Sequence, residues 1–275
     1  MNEAAHAELA PHRWHHFESS EQQFDSGKLG MWLFLATEVL MFGGLFCAYA
    51  IYRGNHPEIF HFGHQFLDKK WGGINTIVLI CSSLSMAWAV RAAQLGQKAL
   101  LVTMLVITLA CAFGFMGIKY VEYTHKIHSG LLWGTNYHPN EHALHEAEEA
   151  HHELDAATLA PSEKPVWQAP TEEASTIGPA AVAPKGLAPA GETVVSHGDL
   201  NPKNVHIFFG IYFAMTGLHG IHVLGGMIVI TWLIFGALAG RFGPQYFTPV
   251  DLVGLYWHIV DMIWIFLFPL LYLID

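Results

Sequence analysis

Apolar residues dominate five stretches of this chain, 29–52, 72–93, 99–122, 205–239 and 251–274, and polar stretches separate them. Each is near the roughly 20 residues a helix needs to cross a hydrocarbon core, so the pattern predicts five membrane-spanning helices. The fourth is longer than a perpendicular crossing requires and is expected to tilt or to project beyond the bilayer. The fifth opens with Thr248-Pro249-Val250-Asp251, which reads as an N-cap, a proline at N1 and an acid at N3. Small residues recur within the spans as Gly43 and Gly44, Gly114 and Gly117, Gly210 and Ala214, and Gly225 and Gly226. In lipid such residues let helix backbones approach closely, so these positions are expected at helix contacts. The fold class implied is an all-α polytopic membrane protein, a bundle of five transmembrane helices.

The polar stretches complete the layout: a polar N-terminal tail over 1–28, the first three helices within 29–131, a hydrophilic insertion over 132–203, and the last two helices within 204–275. The tail clusters His12, Trp14, His15, His16 and Phe17. Residues 138–155 are rich in His, Glu and Ala and are expected to form a short exposed helix, with His142, His145 and His152 at a spacing compatible with metal. Residues 156–192, rich in Ala, Pro, Thr and Glu, lack the apolar content to fold alone.

Composition supports the membrane assignment. The chain of 275 residues is 52% hydrophobic and only 13% charged, where soluble domains sit near a quarter charged. The net charge of −10 comes mostly from residues 141–192, so it describes one loop and gives no hint of a nucleic-acid partner. Cys47, Cys81 and Cys111 all fall inside apolar spans, form no metal-type spacing and read as small packing residues. No basic n-region followed by an apolar h-region opens the chain, so no cleaved signal peptide is expected. Near the spans, Arg53, Lys69, Lys70, Lys119, Lys126 and Lys203 on one side slightly outweigh Arg13, Lys28, Arg91, Lys98 and Arg241 on the other. By charge alone this leans toward an external N-terminus.

Ionisable groups inside the spans are the candidates for function, because they are costly at that depth and usually turn toward protein partners. Glu38 lies mid-way along the first span, His219 and His222 along the fourth, and His258 and Asp261 along the fifth. Both last pairs are spaced i and i+3, which places their side chains on one helix face and lets His258 meet Asp261. Asn75 and Thr76 open the second span, and Glu122 closes the third. Three readings follow: a structural polar network, ligands to haem or metal (His219 or His222 with His258 as a bis-His anchor), or a proton or ion path. The His-rich loop also suggests a metal transporter, although the His-Asn-x-x-x-Asp and His-Glu-x-x-x-Glu patterns of zinc transporters are missing. The residues alone leave these open.

Several motifs carry a resemblance. Thr37-Glu38-Val39 with Phe42-Gly43-Gly44, Ile74-Asn75-Thr76, Glu122-Tyr123, Ala214-Met-Thr-Gly-Leu-His-Gly-Ile-His-Val and Tyr256-Trp-His-Ile-Val-Asp-Met-Ile-Trp-Ile-Phe-Leu resemble subunit III of the haem–copper respiratory oxidases. Many members of that family have seven helices, and this chain resembles the last five. The segment from about Tyr137 to Lys203 replaces a short connection. The resemblance implies an accessory subunit of a terminal oxidase, part of an oxidoreductase complex but carrying no redox centre itself. Haem and copper would reside in partner subunits, phospholipid would line the helices, and the catalytic subunit I would be the main partner. It further implies that the subunit supports stability and proton uptake during oxygen reduction, with nitric oxide reductase as the alternative host. Glu38 matches a membrane carboxylate known to react with carbodiimide, and His219, His222, His258 and Asp261 match polar positions of the last two helices. A pairing of Glu38 with His219 or His222 is expected. The family orientation places the N-terminus in the cytoplasm of a bacterial inner membrane, with the insertion and C-terminus periplasmic. The insertion, over 138–200, would then be placed to meet a periplasmic cytochrome or other partner.

Overall fold

The computed structural model describes residues 17–132 and 204–274. The His cluster around His12 to His16, the insertion with His142, His145 and His152, and the proposed contact surface for a periplasmic partner lie outside the described residues. Within them the helices are α1 (Ser20–Asn55), the short α2 (Pro57–Gly63), α3 (Lys69–Gln94), α4 (Lys98–His128), α5 (His206–Leu238) and α6 (Thr248–Tyr272). Five are long and apolar enough to cross a membrane, as the hydrophobic pattern predicts.

Local chemistry sets the helix ends. Ser19 caps α1 by accepting the backbone N–H of Gln22 at 3.0 Å, and Asp68 caps α3 by accepting that of Lys70 at 2.8 Å. The α3–α4 hairpin closes on Gly96, whose φ of +70° and close approach to Pro244 leave no room for a side chain. Helix α1 begins at Ser20, inside the stretch read as tail, and α4 runs six residues past Glu122. At α6 the N-cap is Phe247 and Thr248 is already helical, so the predicted Thr248 side-chain cap is not made. The fixed φ of Pro249 serves the first turn regardless.

Helices α3, α4, α5 and α6 form a ring in which each packs on two neighbours, and α1 lies outside it against α6 and α5. The ring buries Leu79, Met86, Leu105, Phe115, Tyr212, Trp257 and Trp264. Helix α1 buries Leu35, Phe42 and Tyr49. These are seven residues apart, the spacing of a coiled-coil seam. Close approach is real at Gly226, where an added Cβ would meet Trp257 at 2.6 Å, at Gly72 against Phe268 and at Gly254 against Val90. Gly43, Gly44, Gly114 and Gly117 instead face open space. The expectation that these four mark helix contacts within the chain is therefore corrected: they lie on outward surfaces. The thiols of Cys47 and Cys81 are exposed and Cys111 is half-buried, so the first two also face outward and do not fill the core.

Candidate functional site: the polar groups inside the bundle

Glu38 meets His222. Their Oε2 and Nε2 atoms lie 2.8 Å apart, although the ring N–H is not aligned for a straight hydrogen bond. His222 Nδ1 lies 2.8 Å from the Leu218 carbonyl, which can only accept, so Nδ1 carries a proton. A close contact at Nε2 is then attractive only when the pair holds one further proton, on the ring or on the carboxyl. Phe42, one turn along α1, sets its ring edge-on to the same imidazole at 5.4 Å. The clasp therefore joins α1 to α5 around the centre of the membrane.

The expected meeting of His258 with Asp261 does not occur. Helix α6 lays this face on α3, and each group finds a serine there: His258 Nδ1 lies 2.6 Å from Ser83 Oγ, and Asp261 Oδ2 lies 3.1 Å from Ser82 Oγ. Trp257 Nε1 also donates to Ser82 Oγ, at 3.1 Å. Ser85 continues the line to α4 through Thr108 Oγ1 at 2.7 Å. His219 is fully buried but binds neither Glu38 nor any other polar group among the described residues; its ring lies between Phe115 and Trp264 at 5.5 and 5.3 Å. Asn75 is also fully buried without a hydrogen-bond partner among the described residues, while Thr76 Oγ1 accepts the Trp264 indole N–H at 3.1 Å.

Glu122 does not close its helix; it is the hub of a charged cluster. Lys119 Nζ reaches its Oε2 at 2.8 Å, and Lys126 Nζ reaches its Oε1 at 2.9 Å. Tyr212 of α5 and Tyr272 of α6 donate to the same Oε1 at 2.8 and 2.5 Å. Lys119 also donates to Tyr272 Oη at 2.6 Å and stands 4.5 Å from the centre of the Trp264 ring. Both lysines, assigned from sequence to the membrane flank, are buried. The spacing Lys119, Glu122, Lys126 is the i, i+3 and i+4 pattern that brings charges together on one helix face. That signal was available in the sequence; the two tyrosines, 90 and 150 residues from Glu122, were not.

At the same end of the bundle, the loop before α3 buries His64, whose imidazole is held below its ordinary pKa first by burial and then by Lys69. Among the described residues no three His, Cys, Asp or Glu side chains converge as a metal set.

A family model described as cytochrome c oxidase subunit III matches residues 204–275, which hold α5 and α6 with His219, His222, His258 and Asp261. The chain is similar to cytochrome c oxidase subunit 3 of Thermostichus vulcanus, at 26% identity over 90% of this chain and 86% of that one. It is also similar to cytochrome bo(3) ubiquinol oxidase subunit 3 of Pseudomonas putida, at 22% identity over 91% of this chain and 88% of that one. These matches support the haem–copper oxidase subunit III family for this chain. A third relative, the haem–copper oxidase subunit I+III of Aeropyrum pernix, is 24% identical over 91% of this chain, which spans only 23% of that larger protein.

Among the described residues, the matched region supplies one partner to every interhelical polar contact described above except Ser85–Thr108. Helices α1, α3 and α4 supply the others: Glu38, Thr76, Ser82, Ser83, Lys119 and Glu122.

Proposed function

We propose that this chain is a non-catalytic accessory subunit of a proton-translocating haem–copper oxidase, seated in the bacterial cytoplasmic membrane beside the catalytic subunit I. The observation that carries the reading is the Glu38–His222 contact at 2.8 Å. It joins the first-span motif around Thr37-Glu38-Val39 to the fourth-span motif that holds His222, so their polar residues serve to hold helices in place. His258 likewise engages Ser83. The chemistry of haem and copper would belong to the partner subunits. The N-terminus is placed in the cytoplasm, with the insertion on the periplasmic side, where it is positioned to meet a periplasmic partner. Lipid would cover the outward apolar faces. Relatives are named both for cytochrome c and for quinol, so the role read here is one that serves either electron donor.

The test is a mild-detergent pull-down of the tagged chain, with subunit content and reduced-minus-oxidised spectra recorded before and after stripping the partners. Haem and copper are expected to arrive only with larger co-purifying subunits. Haem that stays with the stripped chain would overturn the accessory reading. Deletion of residues 140–195 is expected to impair assembly or electron delivery, and an unchanged complex would remove the proposed role of the insertion.

A further inference from the structure

Ser82 Oγ has more neighbours than protons. The Leu79 carbonyl lies 2.8 Å away, Asp261 Oδ2 lies 3.1 Å away, and the Trp257 indole nitrogen approaches at 3.1 Å. A carbonyl only accepts and an indole N–H only donates. The single hydroxyl proton of Ser82 can therefore serve Leu79 or Asp261, but not both. If Asp261 were ionised, one of these contacts would set lone pair against lone pair.

The surroundings of Asp261 point the same way. It is 2% exposed, and its Oδ1 has no hydrogen-bond partner among the described residues. It makes no ion pair there either. From α3 it faces Ser82 and Ser83, and from α6 itself the Trp257 and His258 side chains precede it by about one turn, with His258 sharing Ser83. From α4 the titratable group on that side is the thiol of Cys111. Depth matters as well. Asp261 lies ten residues beyond Asp251, which pairs with Lys28 at the membrane end, so it is about 15 Å deeper at 1.5 Å per residue. A carboxylate there would have only the shared hydroxyls of Ser82 and Ser83 as donors and no counter-charge.

A carboxylic acid removes the conflict. With the proton on Oδ2, Asp261 donates to Ser82, Ser82 donates to the Leu79 carbonyl, and the second lone pair of Ser82 accepts from Trp257. Each proton then has one acceptor. We propose that Asp261 is a proton-binding site, held as a neutral carboxylic acid that donates to Ser82 and joins α6 to α3 at mid-membrane. Glu38 lies equally far beyond Lys28 on α1 but shares its proton with a base. The two carboxyls therefore hold protons in different ways at one depth. This inference stands on the hydrogen-bond count and does not rest on the subunit reading.

The test is infrared difference spectroscopy of the full chain in its native complex at neutral pH, wild type against Asp261→Asn. The expected result is loss of one protonated-carboxyl C=O band with carboxylate bands unchanged. Loss of carboxylate bands would overturn the proposal. If the variant does not assemble, wild-type protein labelled with heavy carbon in the aspartate side-chain carboxyl replaces it, and a protonated-acid band must shift with the label. Ser82→Ala is expected to move that band to higher frequency, because the acid loses its acceptor. A band that stays in place belongs to another group and would overturn the assignment.

Discussion

Two carboxylates of this bundle, Glu122 and Glu38, are handled in opposite ways. Glu122, toward one membrane end, gathers two ammonium groups and two phenols from three helices. Glu38, near mid-depth, has one imidazole. A carboxylate with two lysines leaves the first cluster with one surplus positive charge, whereas the second site is neutral as a pair. Coulomb attraction grows as the dielectric falls, but so does the cost of stripping water from each ion. Full charges are thus affordable near the interface and are replaced by a minimal clasp, or by serine hydrogen bonds, where water is far away.

The widest expected gap between the two sites is in mutational cost. Glu122→Gln leaves Lys119 and Lys126 buried without their anion, and the loss should be about 3–5 kcal/mol, read as lowered resistance to thermal or dodecyl sulfate unfolding in mild detergent. A loss comparable to that of a mid-membrane clasp would break the contrast. Tyr272→Phe removes one of the donors to the same carboxylate and one acceptor of Lys119; hydrogen bonds to charged groups suggest about 1.5–3 kcal/mol in the same assay. Glu38→Gln keeps an amide that can still face His222, so the cost should fall to about 0.6–1.7 kcal/mol, the range of polar contacts between membrane helices. Oxidase turnover of the assembled complex should persist, and complete loss of turnover with an intact complex would give Glu38 a chemical role instead. The smallest effect is expected at Lys28→Met. Its contact with Asp251 is 3.3 Å long and partly exposed, and such pairs contribute about 0–1 kcal/mol. That small contribution should shrink further in high salt.

The five helices were legible from apolar run length, and matched depth on the first and fourth spans narrowed the Glu38 partner to His219 or His222 without choosing between them. Glu122 was misread because the third helix outlasts its apolar run, and Lys119 and Lys126 look like flank charges when sequence is read by hydropathy. His258 and Asp261 were read as partners from their spacing, but that spacing says only that they share a face. What the face meets, Ser82 and Ser83 of α3, is set by helix packing. His219 has no hydrogen-bond partner among the described residues even though it stands in the same motif as His222, since one turn of helix rotates it from the α1 side to the aromatic wall of Phe115 and Trp264. The glycines at Gly43, Gly44, Gly114 and Gly117 show the reverse error, where a packing composition faces outward.

Tyr272 also sets a schedule for biogenesis. The α4 residues of its cluster leave the ribosome 150 residues ahead of it, an interval of about 8–30 s at roughly 5–20 residues per second. Until α6 is inserted, Lys119, Lys126 and Glu122 lack the phenol that closes their site, and water must stand in for it. A nascent bundle stalled before α6 would therefore present this cluster of three charges open and hydrated. Closure of the cluster thus waits on α6.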